Sequence, residues 1–411
     1  MSTSAPKSSR PRCIYLAPRA PWPLDDGGRV VLLQDLLALA GRFETRAVIM
    51  RRPGEAVAEA PAAVSERGIA VTFVEHRPPA EPIALARGAL GRWPYTLERF
   101  QSASFARGVR QIVEAWRPDL AYINNLHLAP YLSVLGDATR VLRQQNLEQL
   151  WLARFADATR NPAVAAYARF QAWRMRGAEA TLCRAMALVL AMHEDEAAAI
   201  RAFAPGVRVE SIPAAAPFVD LATRRKGAEP TLLVIGSFDR EANAEGACRF
   251  LEKGWPVVRT AVPGARLRLV GRQMPDRLVA LAHAGGAEPV GYVPDLTPEL
   301  SAAWGMVIPL WYGAGMRVKT VEAIAAGLPV AATPLAAEGL GLEPERHYLE
   351  GRSEAELGAA ALQLLTQPER AAEMAARAHA FLRPTHGSEE VARRTTELCA
   401  EALASPRGMA Q

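Results

Sequence analysis

The sequence predicts an α/β protein built from two parallel-sheet domains. Apolar runs of strand length alternate with helical patterns in both halves of the 411-residue chain, as in successive βαβ units. Between the halves, residues 214–230 lose all periodicity and are typical of a linker. A chain of this length can bury more than one substantial core. We therefore predict a first domain over residues 12–213, a second over residues 231–385 and a final helix over residues 386–405.

The first domain presents a glycine pair at the start of its first helix. A strand and a turn-rich loop lead to Gly27 and Gly28, which precede a helical pattern from Val30 to Ala40. Backbone N–H groups in the first turn of a helix have no intrahelical acceptor, so they can bind an anion. Helix capping by Asp25 and Asp26 is the other explanation of this loop.

A second candidate group follows the predicted strand Leu120 to Ile123. Asn125 and His127 come shortly after this strand, and ligands of open parallel sheets gather at the carboxyl ends of the strands. His127 is therefore the strongest histidine candidate for contact with a substrate, and a purely structural role is the alternative. His193, which follows a later strand, is a weaker candidate.

The stretch from Leu150 to Arg184 has a helical pattern in which aromatic and basic residues are interleaved. Its aromatic residues include Trp151, Phe155, Tyr167, Phe170 and Trp173, and its arginines include Arg154, Arg160, Arg169, Arg174 and Arg176. A basic helix pair that carries aromatic rings is typical of a membrane-surface or acceptor-binding face. The alternative places the rings in the core and the arginines in solvent.

Charge is distributed unevenly along the chain. Residues 1–213 contain 27 basic and 20 acidic residues, whereas the remainder contains 21 and 23. The sign of the first half allows an anionic membrane surface, a lipid-linked phosphate or nucleic acid as partner. A genome that favours arginine explains the excess equally well, since the chain has 44 arginines and 4 lysines.

The sequence contains no pattern of a membrane span, a secretory signal or a metal site. The longest apolar runs have strand length, the first dozen residues are polar and basic, and the four cysteines lie far apart without a C-x-x-C pair. No Asp-x-Asp motif is present to hold a metal-bound pyrophosphate. We predict a protein without metal or cofactor, located in the cytoplasm or at the inner face of the membrane.

The most informative segment runs from Met306 to Leu340. Its pattern is a strand, a loop with Gly313 and Gly315, a helix and a second strand. Gly327 supplies the left-handed residue that can end the helix. A glycine loop that leads into a helix attracts phosphate oxygens, because it offers free backbone amides and the positive end of the helix dipole.

Two basic residues lie in the first turn of this helix, where a cation is unfavourable. Arg317 and Lys319 each cost about a few tenths of a kcal/mol there unless an anion binds nearby. Glu322 lies one turn after Lys319, within reach of an ion pair. A solvated surface pair is the alternative.

The spacing of these residues resembles the nucleotide-sugar site of glycosyltransferase family 4, which consists of retaining enzymes with the GT-B fold. The matching positions are Gly313, Gly315, Arg317, Lys319, Glu322, Ala323, Ala325, Gly327, Pro329, Val330, Thr333, Glu338, Gly339 and Leu340. The resemblance implies two Rossmann-like, doubly wound domains that face a cleft, with the last helix crossing back to the first domain.

The resemblance also implies roles for individual residues. The donor-binding set is Gly27, Gly28, Gly236, Ser237, Gly313, Ala314, Gly315, Met316, Arg317, Val318 and Glu322. The catalytic set is His127, Arg240 and Lys319, with Asn125, Asn146 and Glu148 on the acceptor side. Glu148 could otherwise only cap the helix that follows it.

Three positions depart from the family pattern. Gln145 replaces the usual histidine before Asn146, and Ala314 replaces a glutamate that contacts the donor sugar. Only Arg240 remains of an arginine and lysine pair that holds the pyrophosphate.

The resemblance implies a hexosyltransferase that is retaining and metal-independent. Its donor is a nucleoside diphosphate sugar, and its acceptor is a hydroxyl group in polysaccharide, glycolipid or small-molecule glycoside synthesis, with lipid-linked acceptors included. Nucleic acid is not expected as a partner. The alternatives are a nucleotide-sugar epimerase with the same fold and a non-catalytic scaffold, which the alanine at position 314 favours.

Overall fold

A computed structural model describes residues 10–24, 27–159, 161–312 and 318–405. Several residues discussed above lie outside these ranges, namely Asp25, Asp26, Arg160, Gly313, Ala314, Gly315, Met316 and Arg317. The roles assigned to them stay predictions.

The first sheet consists, within the described residues, of seven parallel strands. Strands β1 to β7 are Arg12–Ala17, Glu44–Arg51, Ala70–Glu75, Leu120–Asn124, Thr139–Arg143, Leu188–Ala191 and Val209–Ser211. Their spatial order is β3-β2-β1-β4-β5-β6-β7. The chain thus moves outward from β1 on one side and starts again at β4 on the other, which makes this a doubly wound sheet.

The second sheet repeats this topology with six parallel strands in the described part of the chain. Strands β8 to β13 are Thr231–Ile235, Arg266–Val270, Glu288–Gly291, Gly305–Ile308, Val330–Ala332 and Leu349–Glu350. Their order is β10-β9-β8-β11-β12-β13. The predicted pair of Rossmann-like α/β sheets is confirmed.

Helices connect consecutive strands of the first sheet. Helices α1 to α8 are Gly27–Arg42, Ala62–Glu66, Glu81–Leu90, Tyr95–Glu98, Ala103–Trp116, Glu148–Ala158, Pro162–Arg184 and Glu194–Phe203, and a 3-10 helix spans Leu126–Val134. The glycine pair forms the first two described residues of α1, so this helix begins before the predicted start at Val30.

Helices also connect the strands of the second sheet, and three more helices in the described residues follow its last strand. After a 3-10 turn at Leu221–Thr223, helices α9 to α17 are Glu241–Arg249, Trp255–Ala261, Asp276–Ala284, Thr297–Ala302, Val318–Ala325, Pro334–Ala337, Glu354–Thr366, Pro368–His386 and Ser388–Ala404. A short π-helical segment, Phe250–Gly254, joins α9 to α10.

The helix pair predicted after Leu150 is present as α6 and α7. α6 ends at Ala158, and Asn161 caps α7 by accepting hydrogen bonds from the N–H groups of Ala163 and Val164. Pro162 occupies the first turn of α7, where its missing N–H is not needed.

Both faces of each sheet are buried. In β1, Ile14 and Leu16 point into one core cluster, whereas Cys13 and Tyr15 point into the other. The last helix, α17, packs its apolar residues against the second of these clusters, together with α1. Helix α17 is therefore part of the core of the first domain.

A buried polar network fixes α1 against the first sheet. Asp35 of α1 accepts a hydrogen bond from Asn124 Nδ2 at 2.9 Å and lies 3.4 Å from Arg143 Nε. Arg143 also donates to the carbonyl oxygens of Ala191 and Ile212 at 3.1 and 2.7 Å. Burial raises the pKa of Asp35, while the Arg143 charge opposes that shift. The pair orients α1 and with it the glycine pair at the start of that helix.

Within the described residues, no helix has the combined length and apolar character needed to cross a bilayer. All four cysteines are buried and unpaired.

Replacing Arg143 with methionine should lower stability strongly. The change leaves the buried carboxyl of Asp35 without its cation, and losing one member of a buried pair costs about 3–5 kcal/mol. Urea unfolding monitored by circular dichroism measures the effect. Arg393→Met is the matched control, because Arg393 forms exposed ion pairs with Glu390 and Glu397, and its midpoint should stay near that of the wild type. Equal midpoints for the two variants would contradict the structural role of Arg143.

Candidate functional site

The predicted site residues cluster at the carboxyl ends of the strands that flank the two switch points. In the first sheet, α1 follows β1, and Asn125 and His127 follow β4. In the second sheet, the loop that begins at Gly236 follows β8, and α13 follows β11. Ligands of doubly wound sheets bind in these positions.

The two domains touch where α1 and α13 begin. A Cβ atom on Gly27 would lie 2.9 Å from Cγ2 of Val318, the first described residue of α13. Val31 and Val318 also share a small apolar cluster with Met192 and Ala214. Two helices from opposite domains therefore bring their first turns to one place. The positive ends of both helix dipoles favour an anion there.

Lys319 is the cation that the structure places beside this contact. Its Nζ donates a hydrogen bond to Asn243 Oδ1 at 2.8 Å, and Asn243 Nδ2 donates to the carbonyl oxygen of Ser237 at 2.8 Å. Nζ also lies 3.3 Å from the position that a Cβ on Gly236 would take. The amine is thus held against the loop after β8, in agreement with the predicted grouping of Gly236, Ser237 and Lys319 at one place.

Lys319 and Glu322 are both only partly exposed. Burial lowers the pKa of Lys319 to about 8, and the nearby Glu322 charge opposes the shift. Burial likewise raises the pKa of Glu322 to about 7, against the effect of Lys319. The alternative of a freely solvated surface pair is wrong for these two residues. Both groups can change charge near neutral pH, which is typical of functional sites.

Two residues near Lys319 had no role of their own in the predicted site. Asn243 holds the amine, and the family resemblance placed it in one sequence element with Gly236 and Ser237. Arg272 follows the neighbouring strand β9 and donates from Nε to Ser237 Oγ at 2.9 Å. The sequence feature that could have revealed Arg272 is its position just after the predicted parallel strand β9. Arg240, by contrast, is exposed and precedes α9.

The first domain contributes a second polar group. Asn125 has a positive φ of 89°, and its Oδ1 accepts a hydrogen bond from the N–H of His127 at 3.1 Å. The ring of His127 stacks on Phe100 with centroids 4.4 Å apart, and its Nε2 lies 3.5 Å from Glu148 Oε1. The structure thus pairs two residues predicted from separate segments.

Glu148 is not the cap of the helix that it begins. The buried carboxylate of Glu179 in α7 accepts hydrogen bonds from the N–H groups of Glu148 and Gln149 at 2.8 and 3.2 Å. Burial raises the pKa of Glu179 to about 8, although these hydrogen bonds oppose the shift. The side chain of Glu148 is left to face His127. Asn146, which is partly exposed, accepts through its carbonyl oxygen from Gln144 at 2.9 Å.

Gln145, at the position of the usual histidine, has a structural contact. Its Nε2 donates to Asn124 Oδ1 at 2.7 Å, within the buried network that holds α1. A neutral amide with this partner is not a proton donor or acceptor for catalysis. Glutamine at position 145 therefore lacks the acid–base group of the usual histidine, but its hydrogen bond to Asn124 holds the segment after β5 in place.

A cavity of about 150 Å³ lies between the domains. Its walls include Leu150 and Arg154 of α6 and, from the second domain, Glu338 and Leu340. Arg154 lies 3.5 Å from Glu338 Oε1, so one ion pair spans the two walls. His193 also lines the cavity, but its Nδ1 accepts the N–H of Glu196 at 3.4 Å and caps α8.

The second domain matches the model of a known protein family. Residues 229–367 match the family described as glycosyl transferases group 1. No curated protein sequence matches the chain. The family match covers β8 to α15, and it includes the loop after β8 and helix α13.

Solved structures match both domains at low sequence identity. Sucrose-phosphate synthase from Thermosynechococcus elongatus has a TM-score of 0.70 at 18% identity, covering 96% of this chain and 99% of that chain. HepE from Anabaena, in complex with UDP and glucose, has a TM-score of 0.64 at 13% identity, covering 95% and 100%. An α,α-trehalose 6-phosphate synthase from Burkholderia multivorans has a TM-score of 0.64 at 13% identity, covering 96% and 99%. The predicted GT-B fold is confirmed.

Replacing Gly27 with alanine should separate α1 from α13. The new Cβ would meet the stiff side chain of Val318 at 2.9 Å, so the first turns of the two helices must move apart. We expect a lower melting temperature and weaker binding of inorganic pyrophosphate, used as a probe of an anion site, both measured by calorimetry. Gly41→Ala is the matched control in the same helix, because nothing lies within 4 Å of its new Cβ, and it should bind pyrophosphate like the wild type. Wild-type binding by both variants would contradict an anion site at this contact.

Proposed function

We propose that this chain, a GT-B glycosyltransferase by its fold and by the family match of its second domain, transfers a sugar from a nucleoside diphosphate sugar to a hydroxyl acceptor. The observation that carries this proposal is the position of Lys319 beside the glycine loop after β8, next to the meeting point of α1 and α13. Retention of anomeric configuration follows from the resemblance of the segment around α13 to glycosyltransferase family 4.

The chemistry required of the protein is stabilisation of the leaving diphosphate. Negative charge grows on the diphosphate as the bond to the sugar breaks, and preorganised donors lower the energy of that state. Lys319 supplies a cation, and the first turns of α1 and α13 supply amides and dipoles. Arg272 contacts the same loop through its hydrogen bond to Ser237. We assign to it the role of the lysine that accompanies the pyrophosphate-binding arginine in the family pattern and that this chain lacks. These groups serve the diphosphate without a metal ion.

The sugar and acceptor are assigned to the side of the first domain. His127 and Glu148 form a pair at the carboxyl end of β4, where they face the cleft region predicted for the acceptor. An imidazole beside a carboxylate offers both hydrogen-bond donors and acceptors, so the pair can bind a hydroxyl group or transfer a proton. Asn125 positions the backbone of His127. Glu322 is assigned to the ribose hydroxyls of the donor.

UDP is the first nucleotide to test. Structures of HepE, which has the same fold, hold UDP or UDP-glucose. A donor panel with UDP, GDP and ADP sugars is the appropriate assay, because it identifies the base directly.

Replacing Lys319 with alanine should remove most turnover. Loss of one charge-stabilising group lowers kcat by about two to three orders of magnitude. Release of nucleoside diphosphate measures the rate. Lys253→Ala is the matched control, because Lys253 is an exposed lysine of the same domain, and it should retain the wild-type rate. An unchanged rate in the Lys319 variant would refute its role at the diphosphate.

The same assay separates the alternatives. An epimerase converts the nucleotide sugar without any acceptor, whereas a transferase requires one. A scaffold binds the nucleotide but releases no diphosphate from any donor of the panel. Either result from the wild-type protein would overturn the proposed transfer.

Affinity for UDP should fall as the pH rises through the pKa of Lys319. With this pKa near 8, the amine is charged at about pH 7 and mostly neutral at about pH 9, so affinity should drop about tenfold over that range. Loss of the proton from Glu322 acts in the same direction, because it adds negative charge. Calorimetric titration measures the effect, and Lys319→Met should bind UDP weakly and show a much flatter profile. A flat wild-type profile up to about pH 9 would mean that the lysine has an ordinary pKa.

A further inference from the structure

Exposed apolar side chains are concentrated on one part of the first domain. In the described part of the chain, large exposed hydrophobic residues number twelve, and nine of them lie on α3, α6 and α7. These nine are Ile83, Leu85, Leu90, Leu150, Trp151, Phe155, Val164, Phe170 and Trp173. We call this set of nine residues the apolar face. Leu90 is 89% exposed and Trp173 is 72% exposed, which is a large area of unfavourable contact with water.

The three helices that carry the apolar face adjoin one another. α6 packs along α7. Tyr167 of α7 donates from its hydroxyl to the carbonyl oxygen of Leu85 in α3 at 2.8 Å, and Gln171 Nε2 donates to that of Gly88 at 3.0 Å. The nine exposed side chains therefore lie on a single unit of packed helices.

Aromatic rings on the apolar face stack in pairs rather than enter the core. Trp151 and Phe155 have centroids 5.5 Å apart, and Phe170 and Trp173 have centroids 6.1 Å apart. The sequence left open whether these rings were core residues, and the structure leaves them at the surface. Tryptophan at a surface of this kind is typical of the boundary between lipid and water.

The charges around the apolar face are mainly positive. α3, α6 and α7 contain six arginines and four acidic residues. Two of the acids, Glu148 and Glu179, are buried, whereas Arg87 and Arg176 are exposed. The two exposed acids have cationic partners, since Asp157 accepts from Arg169 at 3.1 Å and Glu81 Oε2 lies 3.9 Å from Arg99 Nη1. The net charge presented to a partner is positive.

We propose that the apolar face docks on a bilayer that contains anionic phospholipids. Trp173, Leu90 and their neighbours enter the boundary between headgroups and acyl chains, while arginines at the edge contact phosphate groups. Apolar insertion and charge together give the two signals that stable surface binding requires. A soluble protein partner would cover the apolar face but would leave the arginines at its edge without phosphate groups to contact.

Docking in this orientation also places the interdomain cavity near the lipid. Leu150 belongs both to the apolar face and to the lining of the cavity, and Arg154 on the next turn lines the cavity as well. Under the proposed function, an acceptor carried on a lipid would enter the cavity directly from the bilayer. This consequence depends on the proposed transfer, whereas docking itself does not.

The test is co-sedimentation of the full chain with vesicles. Phosphatidylcholine vesicles with and without phosphatidylglycerol are the probes, and the wild type should bind those with phosphatidylglycerol, less at high salt. The double variant Leu90→Ser, Trp173→Ser should lose at least about tenfold in affinity, and Arg87→Glu, Arg176→Glu should lose the preference for anionic lipid. Tyr292→Ser is the matched control, because Tyr292 is 51% exposed on the second domain, and it should bind like the wild type.

Two further measurements keep the result decisive. Melting temperatures and UDP binding of the variants should match the wild type, so failure of the catalytic proposal and failure of docking can be told apart. If a variant does not fold, quenching of wild-type tryptophan fluorescence by brominated phospholipid reports insertion directly. Absence of vesicle binding, variants that bind like the wild type, or a wild-type dimer that the variants dissociate would each overturn the proposal.

Discussion

The close approach of Gly27 to Val318 is the constraint on which the rest of the site depends. The two residues belong to opposite domains, and a side chain on Gly27 would not fit between them. This approach brings the first turns of α1 and α13 to one place, where both dipoles could act on one anion. The buried pair of Asp35 and Arg143 keeps α1 in position from behind. Core packing of Val321 and Ile324 does the same for α13.

Positive charge at this contact is adjustable rather than permanent. A lysine that is partly removed from water holds its proton less firmly, as the lowered pKa of Lys319 indicates. A diphosphate bound as proposed would reverse this effect, because its negative charge favours the protonated amine. The attraction would then be strongest when the leaving group carries most charge. Asn243 keeps the amine aimed at the loop in the absence of ligand.

Much of the fold and part of the site could be predicted from local sequence. The alternation of apolar strands and helices gave both sheets, and Gly327 has the positive φ of 72° expected of the residue that ends α13. Contacts between distant segments could not be predicted in this way. The pairing of His127 with Glu148, the capping of α6 by Glu179 and the position of Arg272 all depend on how helices pack on the sheets.

An experimental structure of the protein with bound UDP would show whether Lys319 contacts the diphosphate of the donor. We expect phosphate oxygens within hydrogen-bonding distance of Lys319 Nζ, with the pyrophosphate between the first turns of α1 and α13. UDP bound elsewhere, with the amine still bonded only to Asn243, would refute this role of Lys319.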